Sequence, residues 1–393
     1  MKKKILFING HLDSGGCERS LIDVLKKLDY KKYEVDLLLL EHTGDYLEEV
    51  PEEVNIKVYS LDNAFGRLVP CLVRAIRKKD WFSFWFRVEY ICGTKVSRHF
   101  MVCMRKLFKD LRKSYDIVIA YRPGICTELA AFTFQANKKI SWWHHGEMNL
   151  SYHEIKSLDM AYKKMDSIVA VSNSSKKLLE EQFADIKKKL YVVSNMIDPV
   201  ELIKKARKYM PVEFQNTKFK IVSVGRMTPE KNMLLCPKIG CKLKAAGMDF
   251  KWVIIGDGVE KEKIEKEIND YELQKELILI GRNSNPYPYI AEADLMIHPS
   301  LVESQGITII ESMALGTPVV AVRSKGPEEF IESGKNGYLV DNNEVDITNL
   351  IKILYKEPKK RELCAYNATN IIKQFEPDCI CLLYTSPSPR DRG

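Results

Sequence analysis

The sequence predicts an α/β protein built from two doubly wound, Rossmann-like domains, and three observations indicate this. The chain has 393 residues, which is long for a single hydrophobic core. Its composition, with 45% hydrophobic and 29% charged residues, is that of a globular protein. Short apolar runs alternate with helical patterns along both halves, as parallel strands covered by helices on both faces do.

The apolar runs give the strands in chain order. In the first half they are KILFING (4–10), YEVDLLLL (33–40), YDIVIAY (115–121), KISWWH (139–144), SIVAVS (167–172) and LYVVSN (190–195). In the second half the rhythm repeats with FKIVSVG (219–225), KWVIIGDG (251–258), ELILIG (276–281), ADLMIHPS (293–300) and TPVVAV (317–322). Each run is bounded by polar turns and followed by a helical pattern, which favours parallel strands joined by helices.

A polar, proline-containing stretch at 195–217 separates the two series of strands and indicates a domain boundary. We place the first domain at 1–198 and the second at 199–381. The last residues, 382–393, contain two Ser-Pro steps and no helical period. We expect this tail to be disordered or foreign to the native protein.

Cysteine usage and the start of the chain indicate a cytoplasmic protein. Ten cysteines occur without a C-x-x-C pair or zinc-like spacing, which favours buried thiols in a reducing compartment over a structural metal site. The opening MKKKILFING has too short an apolar run for a signal peptide, and no stretch of 18 apolar residues follows.

The segment 67–113 carries the excess positive charge of the chain, whose net charge is +8. It holds thirteen Lys and Arg against three acidic residues, and it includes the aromatic run WFSFWF at 81–86. Interleaved basic and aromatic residues are typical of surfaces that lie on anionic membranes. The alternative is a pair of amphipathic helices with a solvated basic face. Nucleic acid ranks last, because no nucleic-acid-binding module accompanies the charge.

Ligands of open α/β sheets bind beyond the carboxyl ends of the strands, so the residues after each strand are candidates. Gly15 and Gly16 follow the first strand and precede a helix, where backbone N–H groups are open to an anion. In GRMTPEK, Arg226 and Lys231 flank a Thr-Pro step that predicts a helix start. The alternative for the two glycines is an ordinary strand-to-helix turn. The alternative for Arg226 and Lys231 is that both are solvated surface cations.

Two glutamates frame a third helix start. A helix beginning near Ile307 would leave the N–H groups of Gly306, Ile307 and Thr308 for a phosphate. Glu311, one turn inside, would lean back toward the hydroxyl groups of a ribose, while Glu303 would face whatever lies beyond the phosphates. The alternative is a capping box formed by Thr308 and Glu311.

These residues resemble a known family, the GT-B-fold retaining glycosyltransferases of family four (glycosyl transferases group 1), from about residue 4 to residue 375. The motifs that carry the resemblance are an E-x7-E pattern at Glu303 and Glu311, a basic pair at Arg226 and Lys231, a glycine loop at Gly15 and Gly16, a G-x-P turn at Gly316 and Pro318, and an interdomain segment with Asn195 and Asp198. The family's fold is two Rossmann-like domains that face each other across a cleft.

The resemblance implies a hexosyltransferase that needs no cofactor and no metal. Its co-substrate would be a nucleotide-diphosphate sugar, such as a UDP-sugar, bound mainly to the second domain. The acceptor, a glycan or a lipid-linked glycan, would bind to the first. No D-x-D triplet, the carboxylate pair that holds a divalent cation in other such transferases, occurs in the sequence. Arg226 and Lys231 would then neutralise the leaving group.

A histidine of the family faces the transferred sugar from the first domain. In SWWHHGEMN either His144 or His145 fits that position, and the following Gly-Glu favours His145. The resemblance therefore makes His144, His145, Arg226, Lys231 and Glu303 the catalytic candidates.

Because the sequence departs from the family pattern, the identity of the transferred sugar cannot be assigned. Ser304 and Gln305 stand where a glycine and an aromatic residue are usual, and SKGPEEF leaves Gly326 and Glu329 as the match to a glycine-rich segment before an acid. Three alternatives remain: a nucleotide-sugar epimerase or hydrolase of the same fold, a two-domain solute-binding protein, and a non-catalytic relative that binds the nucleotide sugar. We expect a cytoplasmic enzyme of polysaccharide synthesis, with peripheral association with the inner face of the membrane as a hypothesis.

Overall fold

A computed structural model of the protein describes residues 2–376 except 14, 42, 65, 67, 96–98 and 113. The contacts divide the chain into two units, one ending at Val193 and the other beginning at Ser194. The predicted tail at 382–393 lies outside the described residues. So do three cations of the basic segment, Arg67, Arg98 and Lys113.

The first unit is a parallel sheet with helices between its strands. Its described strands are β1 (Lys3–Asn9), β2 (Tyr33–Leu39), β3 (Val54–Val58), β4 (Ser114–Ala120), β5 (Gln135–Trp143), β6 (Ser167–Ala170) and β7 (Leu190–Val192). Its described helices are α1 (Gly16–Lys27), α2 (Leu68–Arg77), α3 (Trp81–Lys95), α4 (His99–Cys103), α5 (Ile125–Glu128), α6 (Tyr152–Lys163) and α7 (Asn173–Gln182).

The strand order of this sheet is β3-β2-β1-β4-β5-β6-β7, with every described pair parallel. The chain moves outward in one direction from β1 and then in the other from β4, so the topological switch point lies between these two strands. Leu6 and Ile8 of β1 are fully buried, and Ile5 and Phe7, on the opposite face, are buried as well. Both faces of the sheet are therefore covered.

The second unit repeats this design. Its described strands are β8 (Lys220–Val224), β9 (Lys251–Ile255), β10 (Leu277–Gly281), β11 (Leu295–His298), β12 (Val319–Val322) and β13 (Tyr338–Val340). Its described helices are α8 (Pro199–Ala206), α9 (Leu235–Ala245), α10 (Lys261–Asp270), α11 (Tyr287–Glu292), α12 (Ile307–Ala314), α13 (Glu344–Lys356) and α14 (Pro358–Ile372).

The order of the second sheet is β10-β9-β8-β11-β12-β13, again parallel throughout the described strands, and its switch point lies between β8 and β11. Ile221 and Val222 of β8 belong to two different core clusters, one on each face. A backbone hydrogen bond from the Ile197 N–H to the Phe375 carbonyl, at 2.7 Å, joins the first and last parts of this unit. The predicted fold class, two doubly wound α/β domains, is confirmed.

Two described strands are absent from the sequence prediction, and both lie at the edge of a sheet. The β3 sequence VNIKV alternates apolar and polar residues, because an edge strand is only partly covered. At the far edge of the second sheet, β13 has three residues. A search for continuous apolar runs finds strands that are buried on both faces and misses these.

Candidate active site

The site residues predicted in the second unit lie on the loops after β8 and β11, the strands that flank its switch point. Two hydrogen bonds join the loops. The Leu301 N–H donates to the Glu230 carbonyl at 2.9 Å, and the Asn232 side-chain amide donates to the Pro299 carbonyl at 3.2 Å. This is the end of the sheet at which α/β proteins bind ligands.

A helical turn does begin after Thr228, with Pro229 at its first position as predicted, but it is a short 3-10 turn and not the start of an α-helix. Pro229–Lys231 forms a single 3-10 turn, and no side-chain hydrogen bond from Thr228 caps it. Asn232 is left-handed, with φ 53° and ψ 34°, and ends the turn, so the helix α9 begins only at Leu235. An anion at this loop would meet the charges of the side chains and not a helix dipole.

Glu303 is held by two side chains that converge on one of its oxygens. The Lys231 Nζ lies 2.6 Å from Oε1 of Glu303, and the His298 Nε2 lies 2.7 Å from the same oxygen. The three side chains are sheltered: Lys231 is 18% exposed, Glu303 9% and His298 3%. The loops after β8 and β11 thus share one charged network.

The charge state of Glu303 follows from this network. Burial alone would raise the pKa of the carboxyl group, but the Lys231 ammonium and the hydrogen bond with His298 outweigh burial and hold the pKa of Glu303 well below its usual range. Glu303 is therefore a carboxylate at neutral pH.

Arg226 differs from Lys231 in its surroundings. Its side chain is 64% exposed, and its closest ion-pair contact is with Glu230, at 3.5 Å. The turn that carries Arg226 packs against the end of β9, where the Met227 N–H donates to the Asp257 carbonyl at 2.8 Å. Gly256, at φ 148°, is required there because a Cβ atom would overlap the Gly225 carbonyl oxygen.

Glu311 lies inside α12, as predicted, and is buried. The Tyr287 hydroxyl donates to its Oε1 at 2.7 Å. The predicted helix start at Ile307 is confirmed, but the capping box is not formed. Gly306, at φ 85° and ψ 60°, is the N-cap, and no described side chain caps it. The side chain of Thr308 instead lies 3.3 Å from His298 Nδ1.

Asn195 reaches the loop before α12. Its backbone N–H and its Nδ2 both donate to Oε1 of the buried Gln305 side chain, at 3.0 Å and 2.6 Å. Gly326 packs on the same loop, because a Cβ there would lie 2.7 Å from the Ser304 backbone. Gln305, a departure from the family pattern, therefore ties the predicted interdomain segment to the loop of Glu303.

Asp198, the other residue of that segment, has a different place. It accepts from the Val200 and Glu201 N–H groups as the N-cap of α8.

In the first unit, Gly15 is the N-cap of α1, which starts at Gly16. A Cβ at Gly15 would overlap a carboxylate oxygen of Glu18, so the glycine makes room for an acidic side chain. Glu18 is buried, and the Arg122 guanidinium, at the end of β4, lies 3.5 Å from its Oε1. The His11 ring nitrogen Nε2 lies 2.7 Å from Arg122. The switch point of this unit therefore carries a carboxylate, a cation and an imidazole.

The two candidate histidines at the end of β5 have contrasting environments. The His144 ring stacks on Trp142, with ring centroids 5.5 Å apart, and both of its ring nitrogens are buried without a hydrogen-bond partner among the described residues. Burial, with smaller effects of His145 and Arg122, lowers the pKa of His144 to about 3. His145 is exposed, and its backbone carbonyl accepts from the Trp143 indole at 2.7 Å.

Sequence reasoning missed five residues of these two sites: His11, Glu18, Arg122, Tyr287 and His298. Three of them stand at a strand end or directly after one, so the rule that led to the glycine and glutamate motifs could have found them. Glu18 and Tyr287 carry no such signal. Their roles depend on helix placement.

The described residues lack two kinds of feature. Within these ranges no helix combines the length and apolarity that crossing a bilayer requires. The His, Cys, Asp and Glu side chains of the same residues form no group of three or more suited to a metal ion.

Comparison with known families gives a match for each half of the chain. Residues 14–201 match the family model described as Glycosyltransferase Family 4, and residues 205–371 match the one described as Glycosyl transferases group 1. The match boundaries leave only three residues between them.

Relatives and solved structures agree with these matches. The chain is 28% identical over 285 residues to a poly(ribitol-phosphate) alpha-N-acetylglucosaminyltransferase of Staphylococcus aureus; the match covers 70% of this chain and only 55% of the length of that enzyme. It is 27% identical to the Campylobacter jejuni N-acetylgalactosamine-N,N'-diacetylbacillosaminyl-diphospho-undecaprenol 4-alpha-N-acetylgalactosaminyltransferase, with 96% of each chain covered.

The crystal structure of Anabaena HepE in complex with UDP and glucose shares the fold. Its TM-score is 0.73 at 18% sequence identity, with 98% of this chain and all of that chain covered. Two doubly wound sheets, two adjoining family matches and glycosyltransferase relatives lead to one conclusion. This chain is a glycosyltransferase of the GT-B type.

Proposed function

We propose that the protein transfers a sugar from a nucleotide-diphosphate sugar to a glycan or lipid-linked acceptor, with retention at the anomeric carbon and without a metal ion. The donor that we favour is a UDP-sugar, and the product would be a precursor of a cell-surface polysaccharide. The HepE structure holds UDP and glucose. The names of the two relatives specify a poly(ribitol phosphate) and a diphospho-undecaprenol acceptor.

The observation that carries this proposal is the network of Lys231, Glu303 and His298 at the switch point of the second unit, on loops of which one also carries Arg226. A diphosphate leaving group gains negative charge as the bond to the sugar breaks. Lys231 and Arg226 would stabilise this charge as fixed cations, without the reorganisation that water would need. The Glu303 carboxylate would lie toward the sugar, where positive charge develops at the anomeric carbon.

The remaining candidates extend this assignment. The N–H groups of Gly306, Ile307 and Thr308, with Asn195 nearby, would face the phosphates. Glu311, oriented by Tyr287, would accept from the ribose hydroxyls. In the first unit, Gly15 and Gly16 would contribute to acceptor binding, and His144 or His145 would face the sugar that is transferred.

The proposal is tested by a melting screen and a transfer assay. A nucleotide-diphosphate sugar bound only by the native state raises the melting temperature, because it stabilises that state by RT ln(1 + [L]/Kd). We expect one UDP-sugar to do so. NMR of the transfer product should then show the anomeric configuration of the donor. Inverted product, or free sugar as the only product with every acceptor, would contradict the proposal and favour the hydrolase alternative. A change in the donor sugar itself would indicate the epimerase, and binding without any turnover the non-catalytic alternative.

A second proposal concerns the surface of the basic segment 67–113, for which the membrane hypothesis was made. The helix α2 buries small side chains, Cys71 and Ala75, and exposes larger ones at Val69, Val73 and Ile76. These three residues follow helical spacing, so they form one apolar stripe.

Exposed aromatic and basic side chains follow this stripe along the chain. Trp81 and Trp85 of α3 are exposed one turn apart. Arg77, Lys78 and Lys79, in the connection between the helices, are exposed as well. Apolar and indole groups enter the interfacial region of a bilayer while cations bind anionic lipid headgroups. We propose that this surface holds the protein peripherally on the cytoplasmic face of the membrane, near a lipid-linked acceptor.

Vesicle sedimentation tests this second proposal. The vesicles contain about 30% anionic lipid, which gives them a negative surface potential. We expect the binding of the unaltered protein to these vesicles to weaken as salt is added. Binding should be about tenfold weaker in W81S/W85S, which loses two apolar side chains. The control is V259S, since Val259 is exposed in the second unit. Equal binding by the double variant, or no salt-sensitive binding by the unaltered protein, would end the proposal.

A further inference from the structure

His298 connects the glutamate loop to the first turn of α12. It is the last residue of β11 and is buried. Its Nε2 lies 2.7 Å from Oε1 of Glu303, and its Nδ1 lies 3.3 Å from the Thr308 hydroxyl oxygen. One rigid ring therefore bridges two residues that were predicted to act on the donor.

The two contacts fix which ring nitrogen carries the proton. A carboxylate oxygen only accepts, so Nε2 must donate to Glu303. In the neutral ring, Nδ1 is then an acceptor, and the Thr308 hydroxyl can donate to it. The Glu303 carboxylate thereby selects the tautomer, and the Thr308 hydroxyl supports it by donating to Nδ1.

Lys231 contacts the same oxygen but restricts the orientation of the Glu303 side chain less than His298 does. An ammonium group on a flexible stem is nearly a point charge, whereas the imidazole ring ends a buried strand and donates in one direction. Under the proposed function, a bound diphosphate would also attract Lys231. The hydrogen bond from His298 would then hold the Glu303 side chain while Lys231 engages the phosphates.

We propose that His298 is a positioning residue for sugar transfer: by holding Oε1 of Glu303 it presents Oε2 to the anomeric centre of the donor, and the Thr308 hydroxyl supports the tautomer that makes this possible. The inference rests on the proposed function. It adds a residue that acts through Glu303 and does not itself touch the substrate.

Kinetics of two substitutions test the role. H298F keeps a ring of similar size without hydrogen bonds, and we expect kcat to fall on the order of 10- to 100-fold while KM for the donor stays within about threefold. H298Q places an amide N–H near the position of Nε2 and should recover most of the rate. H153F, at an exposed histidine of α6, is the control and should leave kcat unchanged.

A pH profile separates positioning from a loss of packing. Removal of the donor to Glu303 raises the pKa of that carboxyl group, so the acid limb of kcat should move to higher pH in H298F and return in H298Q. Damage to packing alone would lower kcat at every pH without moving the limb. An unshifted limb, or a change in KM alone, would overturn the inference.

A measurement without substrate keeps the test independent of activity. In the unaltered protein, two-bond proton–nitrogen NMR of the histidine rings should show His298 protonated at Nε2, and T308V should shift the Nδ1 resonance. Protonation at Nδ1 would overturn the inference even if the enzyme transfers sugar. Failure of the unaltered protein to transfer any sugar would instead count against the proposed function, because the tautomer would remain as found.

Discussion

Lys231 and Arg226 carry the same charge, but only Lys231 is sheltered from solvent. Lys231 neutralises a sheltered carboxylate, whereas Arg226 extends into solvent beside Glu230. Removal of one member of a sheltered ion pair leaves the other without compensation, and this destabilises a protein more than the loss of an exposed pair does. The two cations should therefore respond differently to the same substitution.

We predict that R226A and K231A both lower transfer at least about 100-fold, because each removes a cation from the leaving group. R226A should keep the melting temperature of the unaltered protein. K231A should lose about 2 kcal/mol of the free energy of unfolding, measured with urea. The double variant K231A/E303Q should recover that stability without recovering activity. Normal turnover in R226A or K231A would refute the role of these cations at the leaving group. An unchanged stability of K231A would refute the sheltered ion pair of Lys231 and Glu303.

His144 provides a pH test within the first unit. Its pKa is lowered to about 3, so at mildly acidic pH the unfolded chain binds a proton that the folded protein does not. The contribution of the neutral ring to stability is full above the unfolded pKa of about 6.5 and declines as the pH falls below it.

We predict that lowering the pH from 7.5 to 5.5 reduces the free energy of unfolding by about 1 kcal/mol more in the unaltered protein than in H144Q. Urea unfolding at the two pH values measures this difference. H145Q is the matched control, because the neighbouring side chain is exposed, and it should behave as the unaltered protein does. Equal pH dependence in H144Q and the unaltered protein would mean that the His144 ring is solvated.

At the scale of elements, the sequence was sufficient for the interior strands and for the edge strands β7 and β10, but it missed the edge strands β3 and β13. Continuous apolar runs predicted β1, β4, β8 and β11, which are covered on both faces and carry the site. The edge strand β3 alternates, and β13 is three residues long, so neither resembles a buried strand. The four strands that flank the switch points are therefore among those that continuous apolar runs predict.

The same division applies to the candidate site. Glu303 and Glu311 could be found because their spacing around a helix start is a pattern in the sequence. The strand-end position of His298 marks it as a candidate but does not give its partners, and Tyr287 carries no such signal. Their partners are fixed by how β11 and α11 pack. The length of the helix after Thr228 could not be predicted for a similar reason. The turn ends because Asn232 is left-handed, and residues 228–231 do not indicate this conformation.

A backbone prediction belongs to the same scale. Gly256 and Gly247 both have positive φ, but only Gly256 faces a backbone atom. G247A should cost about 1 kcal/mol of unfolding free energy, from backbone strain alone. G256A should cost about 3 kcal/mol, since the loop of Arg226 must also move. Similar losses in urea unfolding would show that the β9 end does not support that loop.

At the scale of the whole molecule, the two units share one connectivity, and each has its candidate residues at its own switch point. The cations of the second unit belong to the chain itself, at Arg226 and Lys231. Under the proposed function, charge on a leaving group would meet these protein cations.

We predict that a chelator leaves the transfer rate within about twofold of its untreated value, because fixed cations supply the stabilisation that a metal supplies elsewhere. The measurement is initial rate after EDTA treatment and after addition of Mg²⁺ or Mn²⁺. A metal-dependent transferase assayed in parallel serves as the control. Loss of activity with EDTA that either ion restores would exclude the metal-independent mechanism.

The hydrogen bond between Ile197 and Phe375 has a consequence for local opening of the second unit. Both residues are buried, and the bond ties the segment before α8 to the turn after α14. Fraying of either segment would uncover apolar side chains of the other, so the two segments should open as one cooperative unit and exchange their amide hydrogens at similar rates.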